Sequence, residues 1–347
     1  MKNAGDSPMG DLGEHETPSS ADEFFSKIFT KSYISRKHKI CYAVVCKSAS
    51  TTIRRWFVFL EGIADAVESQ RRIQAHSIVK QFPELSLDDA YKTIEYNKVV
   101  KSIAPHIIAR SSEEKLNIFS SSEYFRFTVV RNPYTRIFSA WVDKVFGDNL
   151  AYKKYFCNDP FYYKIVTTVE DIAENFELFL TSLHKNRYLL YKDAHWIPQI
   201  YMVRTDKVTY DCIAKLEEPN FLNTALEERF GTEVPPLLRE QYNKNPLAFS
   251  ANFLTPRAQK LIQELYRDDF RAFSYNEIPP TQENCATRSE IERALRDILE
   301  RRLQWMMKKR KILNGRLGYY RRHTLQGAYW ALRGRLQKIL GAYLRLP

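Results

Sequence analysis

Residues 125–141 read Phe125-Arg126-Phe127-Thr128-Val129-Val130-Arg131-Asn132-Pro133-Tyr134-Thr135-Arg136-Ile137-Phe138-Ser139-Ala140-Trp141. The first six are mostly β-branched or aromatic, the composition of a buried strand. Pro133 lacks a ladder donor and restricts the residue before it, so Arg131-Asn132-Pro133 ends the strand. From Tyr134 onward Ile137, Ala140, Trp141 and Val145 recur at three- and four-residue steps, which predicts a helix. A basic residue thus closes a strand, and Ser139 lies in the early turns of the next helix. An Arg fork, a hydroxyl and a helix N-terminus together suit a phosphate. The competing reading is a buried strand and helix with an incidental surface arginine.

A second unit of the same plan lies upstream. Lys39 to Cys46 reads as a buried strand, and Lys47-Ser48-Ala49-Ser50-Thr51-Thr52 as a loop of small, mostly hydroxylated residues behind one Lys. Ile53 to Val67 then has helical periodicity, with Ile53, Trp56, Phe57, Leu60, Ile63 and Ala64 on one face. Small side chains let backbone N–H groups approach an anion, and Lys47 adds a point charge. The loop is not a Walker A sequence, since it contains no glycine. An ordinary helix start rich in Ser and Thr would look the same.

Farther along, residues 68–123 read as helices with charged faces, in which His76 and His106 suit surface or structural roles. Residues 148–190 are predicted helical around Ile172, Phe176, Phe179 and Leu180, and the aromatics from Tyr152 to Tyr163 read as packing. Asp193-Ala194-His195-Trp196-Ile197-Pro198-Gln199 breaks the pattern with loop chemistry of the kind that carries function on a rigid scaffold. Val208 to Leu216 reads as a strand ending at Glu217-Glu218, and residues 231–250 as loop. Thr255 to Tyr275 is predicted to be one helix, with Thr255 as N-cap and Pro256 at N1.

The net charge of +12 is not spread evenly over the 347 residues. Residues 301–347 hold thirteen Lys or Arg and no Asp or Glu, which leaves residues 1–300 at −1. A basic site in the body must therefore be local. Trp305, Met306, Met307, Tyr329, Trp330 and Leu332 interleave with the basic residues of the tail. A solvated charged face is the commonest meaning of such a run. Peripheral contact with an anionic membrane surface is the second reading and non-specific nucleic-acid contact the third. No apolar run is long enough to span a membrane, and residues 1–22 lack the apolar core of a signal peptide, so residues 1–37 read mostly as a disordered leader. Five cysteines without a CxxC spacing do not suggest a zinc site.

Taken together, the segments resemble the Golgi-type carbohydrate sulfotransferases (sulfotransferase family 2), which include the chondroitin and dermatan enzymes. Cys46-Lys47-Ser48-Ala49-Ser50-Thr51-Thr52 is similar to that family's loop for the 5′-phosphosulfate of 3′-phosphoadenosine 5′-phosphosulfate (PAPS). Arg131-Asn132-Pro133 through Ser139-Ala140 is similar to its 3′-phosphate segment. The blocks His195–Gln199, Tyr210–Glu217 and Tyr266–Tyr275 come next, in the family's order. Cys46 stands where proline is usual and Ala49 where glycine often sits. The family's membrane anchor and paired cysteines have no counterpart here.

The resemblance implies an α/β fold, a P-loop-like three-layer sandwich with a central parallel sheet, over residues 38–280, and then a basic helical extension over 285–347. It implies transfer of a sulfuryl group from PAPS to a carbohydrate hydroxyl, with no metal and no specific nucleic-acid partner. Lys47, Ser48, Ala49, Ser50, Thr51 and Thr52 would hold the 5′ end of the donor, and Arg131 and Ser139 the 3′-phosphate. His195 is the candidate general base, with the alternative that it orients substrate; His106 and Glu217 are reserves. Trp196 could stack on a sugar or pack in the core. The Golgi is the implied location, with the cytoplasm left open. Two rival functions stand beside this one: a P-loop nucleotide kinase or NTPase, and a non-enzymatic binding protein that acts through its basic tail.

Overall fold

The computed structural model describes residues 32–300, apart from 82, 84–85, 109–111, 147–154, 157, 164–165, 167, 238–244, 246, 281–286 and 299. The basic tail from 301 and the first thirty-one residues of the expected leader lie outside the described residues.

Four strands pair in the order β1-β2-β3-β4: Ser32–Ser35, Ile40–Ala43, Phe125–Val130 and Cys212–Lys215. β1 and β2 form an antiparallel hairpin, whereas β2–β3 and β3–β4 are parallel. The sheet is therefore mixed rather than wholly parallel, and β1 corrects the expectation of a leader up to residue 37. Its four residues are all buried, and it gains its ladder only by folding back on β2. No periodicity in so short a segment announces that pairing.

The helices, in chain order, are α1 (Ser50–Leu60), α2 (Ala64–Gln81), α3 (Leu87–Thr93), α4 (Tyr96–Ile103), α5 (Ser112–Ser120), α6 (Pro133–Trp141), α7 (Pro160–Tyr163), α8 (Val169–Lys185), α9 (Arg187–Lys192), α10 (Ile200–Val203), α11 (Pro219–Phe230), α12 (Pro256–Leu265) and α13 (Arg267–Ala272). The single helix expected over 53–67 is two, because Gly62 turns into the left-handed region at φ 67° and closes α1. The helix expected over 255–275 likewise breaks at Tyr266, while its Thr255 cap on the N–H of Ala258 forms as read. Among the described residues no helix is long and apolar enough to cross a membrane.

Alternation along the strands covers both faces of the sheet. Ile40, Tyr42, Phe125, Phe127, Val129, Cys212 and Ala214 pack on Ile53, Trp56, Phe57 and Leu60 of α1, with Val99 and Val100 of α4 and Leu222 and Leu226 of α11 behind them. Cys41 and Ala43 face Ile118 and Phe119 of α5 on the opposite side. A fully buried residue such as Phe127 contributes about 1.5–3 kcal/mol. A second core, away from the sheet, gathers Ile137, Phe138 and Trp141 of α6, Phe176, Phe179 and Leu180 of α8, and Ile262 and Leu265 of α12. Ile291, Leu295 and Ile298, at the start of the expected extension, are buried in that same core.

Candidate active site

Three strand ends meet at one edge. Ala43 of β2 pairs with Thr128, and Val130 of β3 pairs with Lys215. The segments that leave β2, β3 and β4 therefore open side by side at the carboxyl ends of parallel strands, where α/β sheets bind ligands.

The segment after β2 is a tight turn. Lys47 (φ 72°) and Ala49 (φ 53°) both lie in the left-handed region, which is strained for residues with a Cβ by about 1–2 kcal/mol each. Ala49 is the N-cap of α1 and brings no side-chain oxygen to its first turn. Ser50, Thr51 and Thr52 are that first turn rather than loop, and all three are half-buried. Ser48 is fully buried and points inward, its Oγ donating to Gln199 Oε1 at 3.4 Å.

The segment after β3 is bonded to this turn. Arg131 Nη1 donates to the Lys47 carbonyl at 3.2 Å, and Arg131 Nε to Thr135 Oγ1 at 3.0 Å. Burial pulls the Arg131 pKa down, opposed by the charge of Glu217. Asn132 caps α6 by accepting from the N–H of Tyr134, with Pro133 at N1. Thr135 and Ser139 succeed Arg131 at four-residue steps, along one face of α6. Ser139 is buried, and its Oγ accepts from Asn245 Nδ2 at 2.9 Å.

His195 lies in the turn before α10. Its Nδ1 lies 2.5 Å from Asp193 Oδ1, and its backbone N–H donates to the same oxygen at 2.8 Å. Burial lowers the His195 pKa below 6.5; the Asp193 carboxylate opposes this, and the cations Lys144 and Lys47 add to it. Burial thus favours the neutral imidazole, which lies within the electrostatic reach of Lys47.

A sulfotransferase family model matches residues 30–276, most of the chain and every element of this site. The chain belongs to the sulfotransferase family. It is also similar to carbohydrate sulfotransferase 10 of Xenopus laevis, with 24% identity over 271 residues, 72% of this chain and 68% of that protein. No solved structure matches it significantly.

Several residues of this sulfotransferase's site escape the sequence reading. Lys47 Nζ forms a close ion pair with Asp143 Oδ2, and Lys144 Nζ reaches the same oxygen at 3.0 Å. Both Asp143 and Lys144 belong to a π-helical turn, Val142–Phe146, that continues α6. Such turns recur at functional sites. Burial would raise the Asp143 pKa, but Lys47 and Lys144 override it and hold the group at about 2. Burial also lowers the Lys47 pKa, against the pull of Asp143.

A buried polar frame joins the segments that leave β2 and β3. Gln199, fully buried, accepts from the Arg131 N–H and donates to the Arg131 carbonyl, both at 2.8 Å. Asp269 of α13 in turn accepts from the N–H groups of Gln199 and Ile200, each at 2.8 Å. Burial raises the Asp269 pKa to about 6, with Arg136 pulling the other way. Arg136, 1% exposed, donates to the carbonyls of Cys46 (3.0 Å), Ile197 (2.8 Å) and Ala194 (3.2 Å). Tyr266 OH donates to the Trp196 carbonyl at 2.6 Å. The closing block at 266–275 is thus a brace for the His195 turn.

The structure bears on three side chains whose roles the sequence left open. Trp196 is fully buried against Phe156 and Phe179, so its indole packs the core rather than a sugar. Glu217 is spent on architecture, accepting from the Asn132 N–H at 2.9 Å and from Tyr275 OH at 3.0 Å. His106 sits beside Glu61, 3.9 Å away, and its carbonyl accepts from Arg36 near β1.

Proposed function

We propose that the protein transfers a sulfuryl group from PAPS to a carbohydrate hydroxyl. The hydrogen bond from Arg131 to the Lys47 carbonyl carries the reading, because it joins the two anion-type segments into one surface. In this reading the Cys46–Thr52 turn is a glycine-free version of a P-loop-like cradle. Lys47 and the first-turn N–H groups of α1 hold the 5′-phosphosulfate, while Arg131, with Thr135 and Ser139 along α6, takes the 3′-phosphate. The similarity to a carbohydrate sulfotransferase supports the acceptor class.

The step itself is a displacement at sulfur. The acceptor oxygen attacks, and the bond from sulfur to the bridging oxygen breaks. Its electron pair leaves on the 5′-phosphate, where Lys47 and the α1 dipole stabilise the growing charge. The acceptor proton passes to His195; with Nδ1 turned to Asp193, Nε2 is the nitrogen assigned to receive it. Most of the rate enhancement in this scheme comes from positioning and preorganised charge.

The deciding measurement is transfer of radiolabelled sulfate from PAPS to a panel of glycosaminoglycan and N-glycan acceptors. Calorimetry with adenosine 3′,5′-bisphosphate (PAP) against ATP, with and without magnesium, separates this reading from a kinase. Magnesium-independent PAP binding is expected, and ATP binding that requires magnesium would overturn the reading. The accompanying proposal for the cell is a Golgi location, read by microscopy of the full-length protein.

A further inference from the structure

Neither donor binding nor proton transfer uses Asp143 in this scheme, yet this carboxylate sits among the cations of the site. Lys47 reaches it from the β2 turn and Lys144 from the next residue of the π turn. The side chains of Lys47 and Lys144 are only 15% and 18% exposed, against 38% for Asp143. The titratable and charged groups around Lys47 are Asp143 and Lys144 on the π turn, His195 on the turn before α10, and Arg131, whose guanidinium holds the Lys47 carbonyl. Cys46 adjoins it on its own turn. Asp143 is the carboxylate of this group that touches the Lys47 ammonium.

We propose that Asp143 is a positioning residue that acts through Lys47, holding its ammonium group at the 5′-phosphosulfate site from the π turn. The inference rests on the sulfuryl-transfer reading and deepens it. Lys47 occupies a strained left-handed position and is largely buried, and its long side chain needs a fixed point at its charged end. Asp143 supplies that fixed point. It also opposes the burial that lowers the Lys47 pKa, and it offsets the like charge of Lys144. An ammonium has three donors, so Lys47 can keep Asp143 while it turns another N–H toward the donor.

The test is the pH dependence of PAP binding by calorimetry, in wild type, Asp143→Asn and Lys144→Gln. In wild type, PAP affinity falls at alkaline pH as Lys47 loses its proton. In Asp143→Asn the fall moves to lower pH by about one unit, a tenfold change in proton affinity. In Lys144→Gln, which removes a like charge, it moves to higher pH. Opposite displacements are the signature of charge acting on Lys47, and a merely structural role would shift neither curve. An unmoved curve in Asp143→Asn, or equal displacement in both variants, overturns the inference. Should Asp143→Asn not fold, Asp143→Ser takes its place, with the same displacement to lower pH expected and an unmoved curve overturning the inference. If wild type binds no PAP at any pH, the sulfuryl-transfer reading fails and takes this inference with it. If wild type binds PAP and the curves coincide, this inference alone fails.

Discussion

Replacing Gln199 with methionine tests whether the two anion segments are held by one buried side chain. Methionine has similar volume and flexibility, so the core stays filled. What disappears is a set of hydrogen bonds: two at 2.8 Å to the Arg131 backbone, and two longer ones at 3.4 Å to Ser48 Oγ and Asp269 Oδ2. The Arg131 N–H and C=O are then left without these partners, at a penalty of about 1–3 kcal/mol each. Asp269 keeps both backbone donors, so the damage stays local. A loss of about 3 kcal/mol is therefore expected, a large share of the roughly 5–15 kcal/mol typical of a domain but not enough to unfold a sound one. Urea unfolding monitored by circular dichroism reads the stability. PAP calorimetry reads the site, where a tenfold or greater loss of affinity is expected as Arg131 loosens. A variant within about 0.5 kcal/mol of wild type, with PAP affinity within threefold, refutes the role assigned to Gln199.

The same geometry sets three further outcomes. Lys47→Ala and Arg131→Ala should each abolish transfer of labelled sulfate from PAPS while the circular dichroism spectrum is retained; near-normal turnover in either removes that residue from the donor site. Because burial lowers the His195 pKa, kcat/KM should hold through neutral pH and fall only as pH drops through a value below 6.5; an acid limb at or above 6.5 argues against His195 as the base. Arg136→Met should lower stability by about 2–4 kcal/mol, since three carbonyls lose their donor, and a thermal midpoint within a degree or two of wild type would show those bonds to be dispensable.

The parts of the fold visible in the sequence are those where local chemistry and tertiary structure agree. β3 and the start of α6 are legible because Phe125 to Val130 favour a pleated, buried surface, and Asn132-Pro133 suits only the cap and first position of a helix. Thr255-Pro256 is legible for the same reason. β1 is not, since Ser32-Tyr33-Ile34-Ser35 becomes a strand only through pairing with Ile40–Ala43. Nor is the true start of α1. It begins at Ser50 because Lys47 and Ala49 take left-handed conformations, which no propensity for Lys or Ala foretells.

The site divides along a similar line. Lys47 and Arg131 could be proposed from the sequence because each charge follows a buried stretch, Val44–Cys46 and β3. Asp143, Arg136, Gln199 and Asp269 could not, because their partners lie from 58 to 96 residues away in the chain. Arg136 is among the most buried side chains and ties the Cys46 turn to the His195 turn. The one local signal was Asp143-Lys144, an acid–base pair four residues beyond Ser139 in an otherwise apolar run. Such a pair has little reason to stand between Val142 and Val145, both buried, unless something charged meets it there. That something is Lys47. The same logic explains which of the two readings of Trp196 holds. In the segment from His195 to Gln199 the aromatic looks like the ligand contact, but a flat apolar ring is what the core absorbs first. The neighbouring polar residues, which the core can hold only when their hydrogen bonds are met, are the ones tied to the site.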